Sequence, residues 1–116
     1  MTGNELLKQA LALMAETDGE DYRELAPAYI NLMLAELFDV NNRMRRHGGL
    51  EELAEMPAVS GLEEELPYME RLQRLAMPYG LVSRLFFDEE DNSRLSMFNE
   101  EYAARVNQCD KYTVAF

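Results

Sequence analysis

The residues able to do chemistry are few, and none has a partner at a useful spacing. His47 is the only histidine and Cys109 the only cysteine. A Ser/His/Asp or Cys/His site would have to use His47, which sits between Arg46 and Gly48 where a helix should end. A cap or surface role suits it better than catalysis. The Glu-x-x-His ligand pair of di-iron bundles is missing, because Met44 stands where the glutamate is needed. With one histidine and no Cys-x-x-Cys, a zinc site is not expected. An EF-hand loop starting at Asp88 would need Gly at its sixth position and Glu at its twelfth, and Ser93 and Asn99 occupy them. Gly48-Gly49 has neither the spacing nor the following lysine of a phosphate loop. Carboxylates are abundant, but on helix faces without a pocket they carry no weight as acid and base. The expectation is a protein that is not an enzyme, with no catalytic, metal-binding or cofactor-binding residue.

The elements that would position any site read as helices. Thr2-Gly3-Asn4-Glu5 fits a capping box, with Thr2 at the N-cap and Glu5 three residues on. A first helix over 1–18 then carries Leu7, Ala10, Leu11 and Met14 on one stripe and stops near Thr17-Asp18-Gly19. A long helix over 20–47 follows, with Pro27 tolerable in its first turn. Leu25, Tyr29, Leu32, Met33, Leu37, Val40 and Met44 form one face, and Ile30, Leu34 and Phe38 a second. A helix apolar on two sides belongs between neighbours, so this one is placed at the centre of the domain. Arg43, Arg45 and Arg46 suit the negative end of its dipole, and Gly48-Gly49 supplies a stop.

Residues 48–66 read as an ordered acidic loop, with at most a helical turn over 50–54. Met56, Val59, Leu62 and Leu66 are its apolar anchors, and Glu51, Glu52, Glu55, Glu63, Glu64 and Glu65 its solvated face. A helical hairpin spans 67–108, opening at Pro67. Pro78 inside it either kinks one helix or separates two consecutive ones. Asp88-Glu89-Glu90-Asp91 breaks the hairpin, and Asp91 or Asn92 can cap its second arm. That arm has a clean stripe of Leu95, Phe98, Tyr102, Val106 and Cys109. The tail over 109–116 switches to an aromatic, β-prone alternation, in which Tyr112, Val114 and Phe116 are candidates for docking on a partner. The fold class is therefore all-α: one domain, a bundle of about four to five helices with a long acidic loop.

Composition sets the outer limits. The 116 residues carry 22 Asp and Glu against 11 Lys and Arg, a net charge of −11. Such a surface repels phosphate, so neither a nucleic-acid groove nor an anionic membrane is an expected partner. No signal peptide is read at Met1-Thr2-Gly3-Asn4-Glu5, and no apolar run approaches membrane-spanning length. Cys109 alone permits no internal disulfide and reads as a small apolar side chain.

One resemblance joins these pieces. Glu65-Leu66-Pro67-Tyr68, then Met77-Pro78-Tyr79-Gly80-Leu81-Val82, the acidic break 88–91, and Phe98-Asn99-Glu100-Glu101-Tyr102 together resemble phage and prophage head–tail connector (adaptor, head completion) proteins. The likeness extends upstream through 32–38 and 55–59. It implies a helical protomer that forms a ring with its own copies, between the portal and the tail or other neck proteins. DNA would pass through that ring without specific binding. It places the protein in the bacterial host cytoplasm during assembly and then in the virion neck. No catalytic residue comes with it. Ring closure by a repeated head-to-tail contact needs complementary patches on each protomer. Arg43, Arg45 and Arg46 meeting a neighbour's Glu51, Glu52, Glu55, Glu63, Glu64 and Glu65 are the candidate pair. The competing class is an acidic helical module that binds or regulates a basic partner outside any virion.

Overall fold

Thr2 starts the first helix as its residue type requires. In a computed structural model that describes residues 1–15, 20–85 and 92–114, and side chains over 1–15, 20–85 and 93–110, its side chain accepts from the Glu5 amide while Glu5 reaches back to the Thr2 amide. Helix α1 (Gly3–Leu13) follows. The amides of Gly3 and Asn4 have no partner within a helix start. They donate instead to the carbonyls of Glu64 and Leu62, at 3.3 and 2.8 Å. Glycine suits this close approach, since a Cβ on Gly3 would lie 3.1 Å from Leu62 and the neighbour would have to give by a few tenths of an ångström. The helix ends sooner than the expected 1–18: Ala15 takes a left-handed φ of 59°. Residues 16–19, the expected stop, lie outside the described residues.

The expected single helix over 20–47 is three: α2 (Glu20–Arg23), α3 (Ala26–Glu36) and α4 (Phe38–His47). Pro27 falls in the first turn of α3, where its missing N–H costs nothing. At Leu37 the backbone moves to φ −96°, ψ 4°, and the helix is interrupted. The break separates two burial patterns. Helix α3 buries Ala26, Ile30, Met33 and Leu34, whereas α4 buries Val40 and Met44 beside two amides, Asn41 and Asn42. Leu25 and Leu32, read as core, are instead 46 % and 57 % exposed.

Pro67 does not open the next helix. Gln73 donates to the carbonyls of Leu66 and Tyr68, which holds 66–69 extended, and α5 begins three residues later (Glu70–Leu75). Of the two readings of Pro78, consecutive helices is the observed one: Ala76 interrupts, and α6 (Met77–Leu85) carries Pro78 in its first turn. Helix α7 (Asn92–Val114) closes the bundle. It continues through 111–114, where an extended tail was expected. A helix already formed gains one residue far more cheaply than an unpaired strand forms, so the β propensity of a few residues loses. The acidic break 88–91 and Phe116 lie outside the described residues.

The centre belongs to α6, not to the chain over 20–47. Seven of its nine residues are buried, and it packs against α1, α3, α5 and α7. Helix α6 is closely approached at Gly80, where a Cβ would stand 2.6 Å from the Tyr102 ring and 2.7 Å from Met33 Sδ. All of the secondary structure among the described residues is helical apart from one isolated bridge, Thr2 to Glu65. Gly80→Ala should therefore lower stability by about 1–2 kcal/mol, since overpacking outweighs the roughly 1 kcal/mol gained in helix propensity. Chemical denaturation measures this; an unchanged or raised midpoint would show that α6 and α7 are packed less closely than described.

Candidate functional site

A long irregular segment beside a core has backbone N–H and C=O groups that must find partners. In residues 48–69 several of these groups find theirs in side-chain amides. Asn31 on α3 pairs with Val59 in both directions, Nδ2 to the carbonyl at 2.9 Å and the amide to Oδ1 at 2.7 Å. Asn42 on α4 does the same with Leu53, at 3.1 and 2.8 Å. Asn41 accepts from the Met69 amide at 2.7 Å. Each paired asparagine offers one donor and one acceptor with the spacing of a peptide group, so it substitutes for a neighbouring strand. The Glu64 carboxylate caps the turn ahead of it, accepting from the Ser60 hydroxyl and from the amides of Ser60 and Gly61. Those bonds, the Ser60 hydroxyl first, hold the Glu64 carboxyl below its ordinary range.

The loop is therefore ordered with its acids outward. Glu51, Glu52, Glu55, Glu63 and Glu65 are exposed, and Glu64 is turned to its cap. Val59, Leu62 and Leu66 are buried as expected, but Met56 is 55 % exposed and Leu50 48 %. No helical turn forms over 50–54.

The arginines expected to meet a neighbour's loop are engaged within their own chain. Arg43 forms a two-pronged pair with Asp110 on α7, at 2.9 and 2.8 Å, and its guanidinium is held above its ordinary range by that bond. Arg45 donates to the Glu51 carbonyl, and Arg46 lies 3.5 Å from Glu52. The first ties α4 to α7 and the other two tie the start of the loop to α4. Of the tail candidates, Tyr112 and Val114 lie on the last turns of α7; their side chains, and Phe116, fall outside what is described.

A groove of about 580 Å³ lies between α3 and α7. Tyr29, Leu32 and Leu95 form apolar walls, and Glu36, Arg84 and Tyr102 a polar floor. Arg84 meets Glu36 at 2.8 Å, and the Tyr102 hydroxyl donates to the other oxygen of Glu36 at 2.6 Å. Burial first, and then Glu36, push the Tyr102 phenol far above its ordinary range, so it stays a donor at any physiological pH. A carboxylate paired with both a cation and a phenol is a tie between helices and not an acid or base poised for catalysis. His47 is exposed at the end of α4, and Cys109 is buried with its thiol pushed up by desolvation. Among the described residues, no three His, Cys, Asp or Glu side chains gather where they could hold a metal ion, and no helix is long and apolar enough to cross a membrane.

Asn31, Asn41, Asn42 and Gln73 were not singled out in the sequence. Their signal was present: amides embedded in apolar stripes, Asn31 between Ile30 and Leu32, Asn41-Asn42 between Val40 and Met44. A polar group on a face bound for the core is nearly always hydrogen-bonded there, and of these four side chains only Asn41 Nδ2 is buried without a partner. Comparison with protein-family models, with curated proteins and with solved structures finds no match to this chain.

Asn42→Ala should cost about 2–3 kcal/mol by leaving the Leu53 amide and carbonyl without a partner. Arg46→Ala, which removes only an exposed pair, should cost less than about 0.5 kcal/mol. Equal effects in denaturant unfolding would contradict the assignment. The Gly61 amide resonance should titrate with Glu64 at a midpoint below 4.5. Because the folded value is depressed, the cap's contribution is complete above 4.5 and is lost as pH falls through the lowered value.

Proposed function

We propose that the chain is a structural connector of a phage or prophage, forming a ring with its own copies between the portal and the tail. The observation that carries this reading is the convergence of the resembling segments. Tyr68 donates to the Leu34 carbonyl, Tyr79 lies 6.2 Å from Phe98, and Gly80 seats the Tyr102 ring. Segments far apart in sequence thus belong to one packed unit, as an ordered family signature would require. The surfaces left over are suited to binding: an acidic loop held rigid by amide pairs, and large apolar side chains left exposed at Leu25, Leu32, Leu50, Met56 and Met97. A loop already ordered loses little entropy on docking. Its exposed carboxylates would also leave passing DNA ungripped.

Mass measurement of the purified chain across concentration, alone and with a phage portal protein, tests the proposal. A discrete multi-protomer species, or one formed on the portal, is expected. A monomer under both conditions would overturn the connector reading; a monomer that captures a basic protein would favour the acidic binding module instead.

A further inference from the structure

Arg43, Arg45 and Arg46 hold α4 to α7 and to the loop of their own chain, so a head-to-tail contact is better sought where arginines line a groove and their own carboxylate partners do not. Two such arginines lie on the side formed by α1, α5, α6 and α7, each paired with a glutamate one turn away on its own helix. A groove of about 370 Å³ has Ala12, Leu13, Arg74, Pro78, Tyr79 and Arg105 in its lining. Its two charged lining residues are both arginines, in a chain with twice as many acids as bases. The Arg105 guanidinium lies over the Tyr79 ring, 4.0 Å from its centre, donates to the Leu75 carbonyl and pairs with Glu101 at 2.7 Å, so the cation is fixed in place. Arg74 is held by Glu70 one turn away, at 2.9 Å, with both side chains about 70 % exposed. Pairs of that kind are weak and are readily exchanged for a better carboxylate. Glu70 and Glu101, the intrachain partners of the two arginines, are not among the residues lining the groove.

The complementary surface is the first part of the acidic loop. Leu50, Glu51, Glu52, Glu55 and Met56 are all exposed, yet the backbone between them is pinned through Leu53 to Asn42 and through Glu51 to Arg45. It is an acidic segment with apolar side chains held outward and little left to order. The two surfaces share no residue. A contact between them is therefore heterologous, and repeating it builds a ring or a filament rather than a closed pair.

We propose that the Arg74–Arg105 groove is the seat for the Leu50–Met56 segment of a second copy of this chain, with Met56 against Tyr79 and Pro78 and the glutamates against the arginines. This rests on the connector reading and names the self-contact that reading requires. Two single variants, Ala12→Cys in the groove and Met56→Cys on the loop, test it without disturbing the core. Mixed under mild oxidation, they should give a cross-linked dimer at least about tenfold more abundant than either variant gives alone, and high salt should reduce it. Arg74→Glu should reduce the cross-link, and Glu52→Arg with Glu55→Arg on the partner should restore it. Multi-protomer species without the mixed cross-link would overturn the groove while leaving the connector intact. Absence of both the cross-link and any self-association, with or without the portal protein, would overturn the two together.

Discussion

Everything in this molecule depends on how the backbone between α4 and α5 is satisfied. That segment has no regular structure, yet it runs along the core and buries Val59, Leu62, Leu66 and Tyr68. Unpaired peptide groups in such a position cost about 1–3 kcal/mol each. The chain answers with asparagine amides on α3 and α4, which lend the loop the two-way pairing a strand would otherwise provide. Loop and helix starts also serve each other: the carbonyls of Leu62 and Glu64 satisfy the first amides of α1, and Gln73 of α5 binds the carbonyls of Leu66 and Tyr68.

Placing the loop this way explains the helices around it. The break at Leu37 separates an apolar α3 from an α4 whose inner face includes the amides, so one straight helix over 20–47 would serve neither purpose. Helix α6 can then sit between α1, α3, α5 and α7 because Gly80 lets Tyr102 and Met33 approach its backbone. The Glu36–Arg84–Tyr102 tie locks α3, α6 and α7 over that contact. The polar groups of the interior thus hold elements in register, and acids such as Glu51, Glu55 and Glu63 are left exposed on the loop.

The all-α class was legible because periodicity and caps are local. Thr2 with Glu5, and the stripe Phe98, Tyr102 and Cys109, needed no tertiary information. The breaks at Leu37 and Ala76 were harder, since they follow from what each half packs against, and Pro78 alone allowed two outcomes. Leu25, Leu32 and Met56 were misread as core because hydrophobicity does not say which apolar face remains uncovered. The arginines at the end of α4 were legible as dipole partners, while Asp110 as the mate of Arg43 lies 67 positions away and left no local trace.

Three of the loop amides are bonded to asparagines of α3 and α4, so the loop should be held as firmly as the core. Native-state hydrogen exchange at the amides of Leu53, Val59 and Met69, each donating to an asparagine, measures this most directly. Exchange as slow as that of the α6 interior, through the same global opening, is expected. Exchange at the rate of a free loop would contradict it.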